Sequence, residues 1–256
     1  MATVHPSADH LANRVVIVTG AGSGIGRATA IAFAEVGAHV LGVGRRKEAL
    51  EETARRHPAI EAFAADICSD DAPEAIIDAA GSRWGRVDVL VNNAGAAAIV
   101  PLAEVTRSGI NDLFALNVTA PSLLARATLP HLREVQGSIV NVSSTFGHRP
   151  LAEGSHYAAS KSAMEMLTKS WALELAPEKI RVNAVAPGPT ESNALAASGL
   201  DEDVVDRIKR EEADRIPLGR RGTPDDVAAW IVRLADPDST WLTGQILTVD
   251  GGLELT

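Results

Sequence analysis

Hydrophobic and polar positions follow two alternating patterns along the chain. Short runs apolar almost throughout occur at 14–19 (RVVIVT), 39–43, 60–65, 87–91, 138–142 (SIVNV), 181–186 (RVNAVA) and 245–249 (QILTV). Each predicts a buried β-strand. Longer Ala-rich amphipathic stretches at 25–36, 47–57 and 72–83, and a long region at 106–132, predict helices. Gly37 stands where a helix C′ glycine belongs. Pro121 falls inside the long region and should kink it or mark a local irregularity. Strands without polar alternation, separated by helices, imply an α/β fold: a doubly wound parallel sheet of about seven strands, covered on both faces.

Two segments break the pattern. Residues 1–12 read as a loose polar arm ahead of one domain spanning 13–256. Residues 188–221 are long, polar and charge-rich, including SGLDEDVVDRIKREEADR. That stretch is either a solvated insertion or a substrate loop or lid over the strand ends, and the Pro187-Gly188 hinge before it favours the lid.

Composition narrows the function classes. A chain of 256 residues that is 46 % hydrophobic can bury a sizeable core, which excludes wholesale disorder. The net charge of −9 argues against a nucleic-acid partner, because phosphates would repel it. The single cysteine, Cys68, cannot form an intramolecular disulfide and reads as a small packed side chain. The N-terminal residues have no signal-peptide core, and no apolar run approaches the ~18 residues of a membrane helix. The expected compartment is the cytoplasm.

Directly after the first strand comes Thr19-Gly20-Ala21-Gly22-Ser23-Gly24-Ile25-Gly26, and a helix opens from it. Glycines there permit a tight turn and close backbone approach to a pyrophosphate, while the helix N-terminus offers free N–H groups. This is the Rossmann-type context. The spacing T-G-x-x-x-G-x-G, on Gly20, Gly24 and Gly26, resembles the short-chain dehydrogenase/reductase family, within it the 3-oxoacyl-carrier-protein reductase-like branch. Asn92-Asn93-Ala94-Gly95 matches that family's NNAG, and Tyr157-Ala158-Ala159-Ser160-Lys161 its Y-x-x-x-K. Ser144 lies thirteen residues before the tyrosine, and Asn117 fits the fourth member of a catalytic tetrad. The resemblance covers nearly all of 14–252.

The second strand ends Val43-Gly44-Arg45-Arg46, so the acid that would hold the 2′-hydroxyl of NAD is replaced by Gly44. A guanidinium at Arg45 suits a 2′-phosphate, which favours NADP(H) over NAD(H). The resemblance implies further cofactor contacts. Gly20, Ser23, Gly24, Ile25 and Gly26 would hold the diphosphate, and Asp66 and Ile67 would flank the adenine. Asn93, Ala94 and Gly95 would line the ribose side. Lys161 would hold the nicotinamide ribose beside Tyr157. Pro187, Gly188, Thr190 and Ser192 would meet the carboxamide.

Tyr157, the only tyrosine, and Lys161 share a helix face at i and i+4. An ammonium nearby should lower a phenol pKa of roughly 10. The resemblance implies that Tyr157 exchanges a proton with the substrate oxygen, that Ser144 binds that oxygen, and that Asn117 anchors a relay water. Ser143 should point to the other side of its strand. His148 and His156 are ordinary loop residues or substrate contacts. Trp84, Trp171, Trp230 and Trp241 are core or subunit-contact residues. No histidine spacing suggests a metal. The expected activity is hydride transfer between NADP(H) and a small-molecule ketone or secondary alcohol, uncharged or bulky given Ala96-Ala97-Ala98. Alternatives are an NAD(H)-dependent alcohol or sugar dehydrogenase of the same fold, and a non-catalytic nucleotide sensor or scaffold. Relatives in the family are commonly homotetramers or dimers, and no membrane partner is expected.

Overall fold

Residues 10–191 and 201–256 are described by the computed structural model. Among them, seven strands form one sheet: β1 (Val15–Thr19), β2 (His39–Gly44), β3 (Ile60–Ala64), β4 (Val89–Asn92), β5 (Ser138–Val142), β6 (Arg181–Pro187) and β7 (Ile246–Val249). Their spatial order is β3-β2-β1-β4-β5-β6-β7, with every neighbouring pair parallel. The order reverses between β1 and β4, and a crevice opens at the strand ends of such a switch point. β4 starts two residues later than the apolar run suggests. The buried Asp88 carboxylate accepts the Val15 N–H (2.9 Å) and is held by Arg14 and Arg86, so this position is a polar anchor.

Eight helices are described: α1 (Gly24–Glu35), α2 (Lys47–Ala54), α3 (Ala72–Trp84), α4 (Arg107–Phe114), α5 (Ala120–Val135), α6 (Ser155–Leu175), α7 (Glu202–Arg215) and α8 (Pro224–Ala235). Alternation along β1 divides the core. Val16 and Val18 pack with Phe33 of α1 and Ile231 of α8. Val15 and Ile17 face Ile76 of α3, Leu124 of α5 and Ala172 of α6. Both faces are therefore covered, as an all-parallel sheet requires. Burying each such large side chain contributes about 1.5–3 kcal/mol.

The irregularity expected near Pro121 is a π turn over Ala115–Thr119 that separates α4 from α5. Pro121 has no N–H to donate to the Asn117 carbonyl four residues back, so the regular ladder cannot run through this point. The Ala120 N–H reaches Ala115 instead, one residue further than in an α-helix. Within the polar 188–221 stretch lies α7. Ser192 and residues 1–9 of the arm lie outside the described residues. No helix among the described residues is long and apolar enough to cross a membrane.

Candidate active site

The glycine loop between β1 and α1 closes on itself for steric reasons. A Cβ at Gly26 would lie 2.3 Å from the Gly20 carbonyl oxygen and 2.4 Å from Asn93 Nδ2. Gly20 has φ +71°, and a Cβ there would also strike Asn93. These glycines let α1 start hard against the strand. Thr19 then fastens the segment after β4: its hydroxyl accepts the N–H groups of Asn93 (3.0 Å) and Ala94 (2.9 Å), while Asn93 Nδ2 donates to the Thr19 carbonyl (2.7 Å). Asn93, expected to face the ribose, has its amide group committed to the loop.

Above this loop lies a cleft of about 530 Å³. Gly20, Ser23, Ile25, Gly26, Arg45, Asp66, Ile67, Asn93, Ala94, Gly95 and Thr190 line it, as the motifs predict. Among the expected contacts within the described residues, Gly24, Tyr157, Lys161, Pro187 and Gly188 are not in its lining. Gly24 begins α1, Pro187 ends β6 and Gly188 follows it. Arg46, Leu50 and Leu116 also line the cleft, and sequence reasoning passed over them. Arg46 reaches toward the cleft with Nη2 3.5 Å from the Ser23 hydroxyl; a paired-arginine signal could have found it. Ser23 is the N-cap of α1, yet its side chain makes no capping bond. The first-turn N–H groups are left for another acceptor. With the helix dipole, Arg45 and Arg46, the donors fit a phosphorylated dinucleotide.

Gly95 joins this cleft to a second cluster. A Cβ at Gly95 would sit 3.1 Å from Asn117 Oδ1 and 3.4 Å from Lys161 Nζ. Asn117, buried in the π turn, accepts the Ala96 N–H (3.0 Å) and donates to the Ala96 carbonyl (2.9 Å) and the Ser160 hydroxyl (3.0 Å). Its side chain therefore clamps loop to helix, with both amide protons committed. Ser160 donates to the Tyr157 carbonyl (2.7 Å). Lys161 Nζ donates to the Val142 carbonyl (2.8 Å).

Electrostatics differ from the sequence expectation. Burial pushes the Tyr157 phenol above its ordinary value, and the nearby Ser144 hydroxyl draws it part of the way back. The Lys161 ammonium exerts no comparable pull, and burial lowers its own pKa to about 8. Ser144 follows β5 and caps a short 3₁₀ turn over Thr145–Gly147, accepting the Phe146 N–H at 3.2 Å. Ser143 points the other way, as alternation predicts, with its hydroxyl 2.9 Å from Glu165.

Other residues fall away from the centre. His148 is held between Glu165 (3.0 Å) and Glu254 (2.9 Å). His156 lines a separate pocket of about 180 Å³ with Glu153 and Ile110. Cys68 is exposed, not packed, because its turn after Asp66 faces outward; the Cys68 N–H bonds Asp66 Oδ1 at 3.0 Å. Trp84 stacks on His39, whereas Trp241 is fully exposed and so is not a core residue of this chain. The fold also brings His10 to 2.9 Å from Asp238 and 3.6 Å from Asp236, a grouping no local spacing announces.

Comparison with known proteins agrees with this geometry. A family model described as Enoyl-(Acyl carrier protein) reductase matches residues 20–254. L-xylulose reductase of Mesocricetus auratus is 38 % identical over 250 residues, covering 96 % of this chain and 98 % of the relative. A short-chain dehydrogenase/reductase of unknown function from Caenorhabditis elegans, solved with cofactor, superposes with a TM-score of 0.90 at 35 % identity, covering 96 % and 97 % of the two chains. The 3-ketoacyl-(acyl-carrier-protein) reductase of Brucella melitensis, complexed with NADH, gives 0.88 at 35 % identity, covering 95 % and 99 %.

Proposed function

Because this chain belongs to the short-chain dehydrogenase/reductase family of NAD(P)-dependent oxidoreductases acting on CH–OH and C=O groups, we propose that it interconverts a ketone and a secondary alcohol with NADP(H). One observation carries the reading: Gly95 opens the glycine-lined cleft onto a cluster in which Asn117 and Lys161 stand side by side, with Tyr157 one helical turn away. That juxtaposition separates an enzyme from a nucleotide sensor, which needs the cleft alone.

In this reading Gly20, Ser23, Gly24, Ile25 and Gly26 hold the diphosphate at the α1 N-terminus. Arg45 and Arg46 take the 2′-phosphate, and Gly44 offers no carboxylate to repel it. Asp66 and Ile67 bound the adenine, and Ala94 and Gly95 bound the ribose. Lys161 turns its ammonium to the nicotinamide ribose. Thr190, on the chain that leaves β6, borders the carboxamide. When bound, the nicotinamide ring supplies hydride to the carbonyl carbon, or accepts it in reverse.

The chain's own groups do the proton work. Tyr157, held protonated by burial, is suited to donate its hydroxyl proton to the carbonyl oxygen in the reducing direction. Ser144 orients that oxygen with its hydroxyl. Asn117 is a positioning residue, fixing Ala96 on the substrate side and Ser160 behind Tyr157. Ala96, Ala97 and Ala98 leave the segment after β4 uncharged, which suits an uncharged oxo group; relatives are named for L-xylulose and for a 3-ketoacyl group. The segment 188–221, containing α7, is the substrate loop of this scheme, and residues 1–12 are an arm outside it. A homotetramer or dimer in the cytoplasm completes the reading.

A panel of ketones and alcohols with NADPH, NADP, NADH and NAD tests it. Turnover should appear with the 2′-phosphorylated pair, and Tyr157→Phe should lose about 10²- to 10⁴-fold in kcat with cofactor affinity kept. No turnover on any substrate, with dinucleotide still bound, would leave the sensor; tighter NADH binding that ignores Arg45→Ala would remove the NADP(H) assignment.

A further inference from the structure

Two neighbouring arginines after α7 have opposite fates. Arg220 is exposed and pairs with Asp226 at 2.7 Å. Arg221 is buried, its side chain 7 % exposed, and the chemistry above does not use it. Its guanidinium meets three acceptors. Nη2 donates to the Thr190 carbonyl at 2.7 Å and Nη1 to Glu212 of α7, while Nε lies 2.9 Å from Glu191 Oε1 as an ion pair outside hydrogen-bond geometry. The second Glu191 oxygen takes Lys209 Nζ, also on α7, at 2.9 Å. Backbone bonds run alongside: Glu191 N–H to the Gly222 carbonyl (2.8 Å) and Gly222 N–H to the Pro189 carbonyl (2.9 Å).

A buried guanidinium needs its charge paired and its donors met, and here both terminal nitrogens are bonded and two carboxylates face the charge, so the arrangement fixes the segments that carry those groups. Here they sit on the chain leaving β6 and on α7. Thr190 lines the cleft. Arg45 and Arg46 mark the opposite end, at the tip of β2, across the sheet from β6. We propose that Arg221 is a positioning residue for the nicotinamide half of the dinucleotide: it sets where Thr190 stands in the cleft and ties α7 to the exit of β6. The proposal rests on the dinucleotide reading of the cleft and adds to it a residue outside the cleft. A lysine at this position supplies charge without the planar fork, and a leucine supplies neither.

Calorimetric titration separates the two halves of the ligand. NADPH and 2′-phospho-adenosine diphosphate ribose, which lacks nicotinamide, are titrated into wild type, Arg221→Leu and Arg221→Lys. Arg221→Leu should weaken NADPH about tenfold or more, the effect of about 1.4 kcal/mol. The ribose diphosphate should stay within about twofold, with Arg221→Lys in between for NADPH. Should Arg221→Leu fail to fold, the triple variant Glu191→Gln/Arg221→Leu/Glu212→Gln removes the facing charges together and is read the same way. Unchanged NADPH affinity, or equal weakening of both ligands, overturns the proposal. A wild type that binds neither ligand refutes the NADP(H) reading on which the proposal rests; binding of both with no effect of the variants refutes only the role of Arg221.

Discussion

At the scale of single residues, the candidate site is built from groups that the fold holds in costly states. The Lys161 ammonium is buried against the Val142 carbonyl, and burial depresses its pKa from 10.5 to about 8. Between those values the native protein holds fewer protons than the unfolded chain, so stability rises with pH across that window. Below it the buried charge is a standing cost. Lys161→Met should therefore gain about 1–3 kcal/mol at pH 7 in urea denaturation while activity is lost. The gap between variant and wild type should narrow from pH 8 toward 10.5, and a variant less stable than wild type at pH 7 would contradict the assignment. Tyr157 follows the same logic with the opposite proton: burial disfavours its anion and keeps it an acid.

Among elements, the catalytic helix is tied to its surroundings by polar bonds as well as by apolar packing. Glu165 of α6 stands one turn beyond Lys161 and accepts from Ser143, and His148 links it to Glu254 near the C-terminus. Burial alone would lower the His148 pKa, but the Glu165 and Glu254 carboxylates outweigh burial and raise it above 6.5. Thr248 of β7 completes the contacts, donating to Glu254 at 3.0 Å and lying 3.4 Å from the imidazole. Since the folded value is raised, this clamp contributes fully below pH 6.5 and is lost as pH rises through the folded pKa. Thermal denaturation of His148→Gln should show its largest deficit against wild type below pH 6.5. The deficit should fade at higher pH; one that is flat with pH or grows with it would refute the imidazolium.

For the whole molecule, the net charge of −9 and the exposed large apolar residues are the main surface features. Trp241 is fully exposed, Trp230 is 46 % exposed, and Leu173 and Met166 of α6 are open. Such residues on a charged protein suit burial between subunits. Sedimentation should accordingly give two or four times 26.8 kDa, and Trp230→Ser/Trp241→Ser should shift the distribution toward smaller species. A wild-type monomer at micromolar concentration would remove the oligomer from the reading.

The linear chain was sufficient for the seven strands, the parallel sheet, the glycine loop, the helices ahead of the polar 188–221 stretch and even the break near Pro121. Each of these follows from periodicity, local sterics or motif spacing, which act between residues near in sequence. Cys68, Arg46, Arg221 and the state of Lys161 were settled only on folding. Nothing local distinguishes Arg220 from Arg221, or an exposed thiol from a packed one. Burial, and the partner a charge finds, depend on segments that approach from far along the chain: Thr190 lies 31 residues from the arginine that holds it, and Thr19 74 residues from the Asn93 it fastens. Desolvation and the pairing of charges are sums over such neighbours, so only the assembled sheet and helices could fix them.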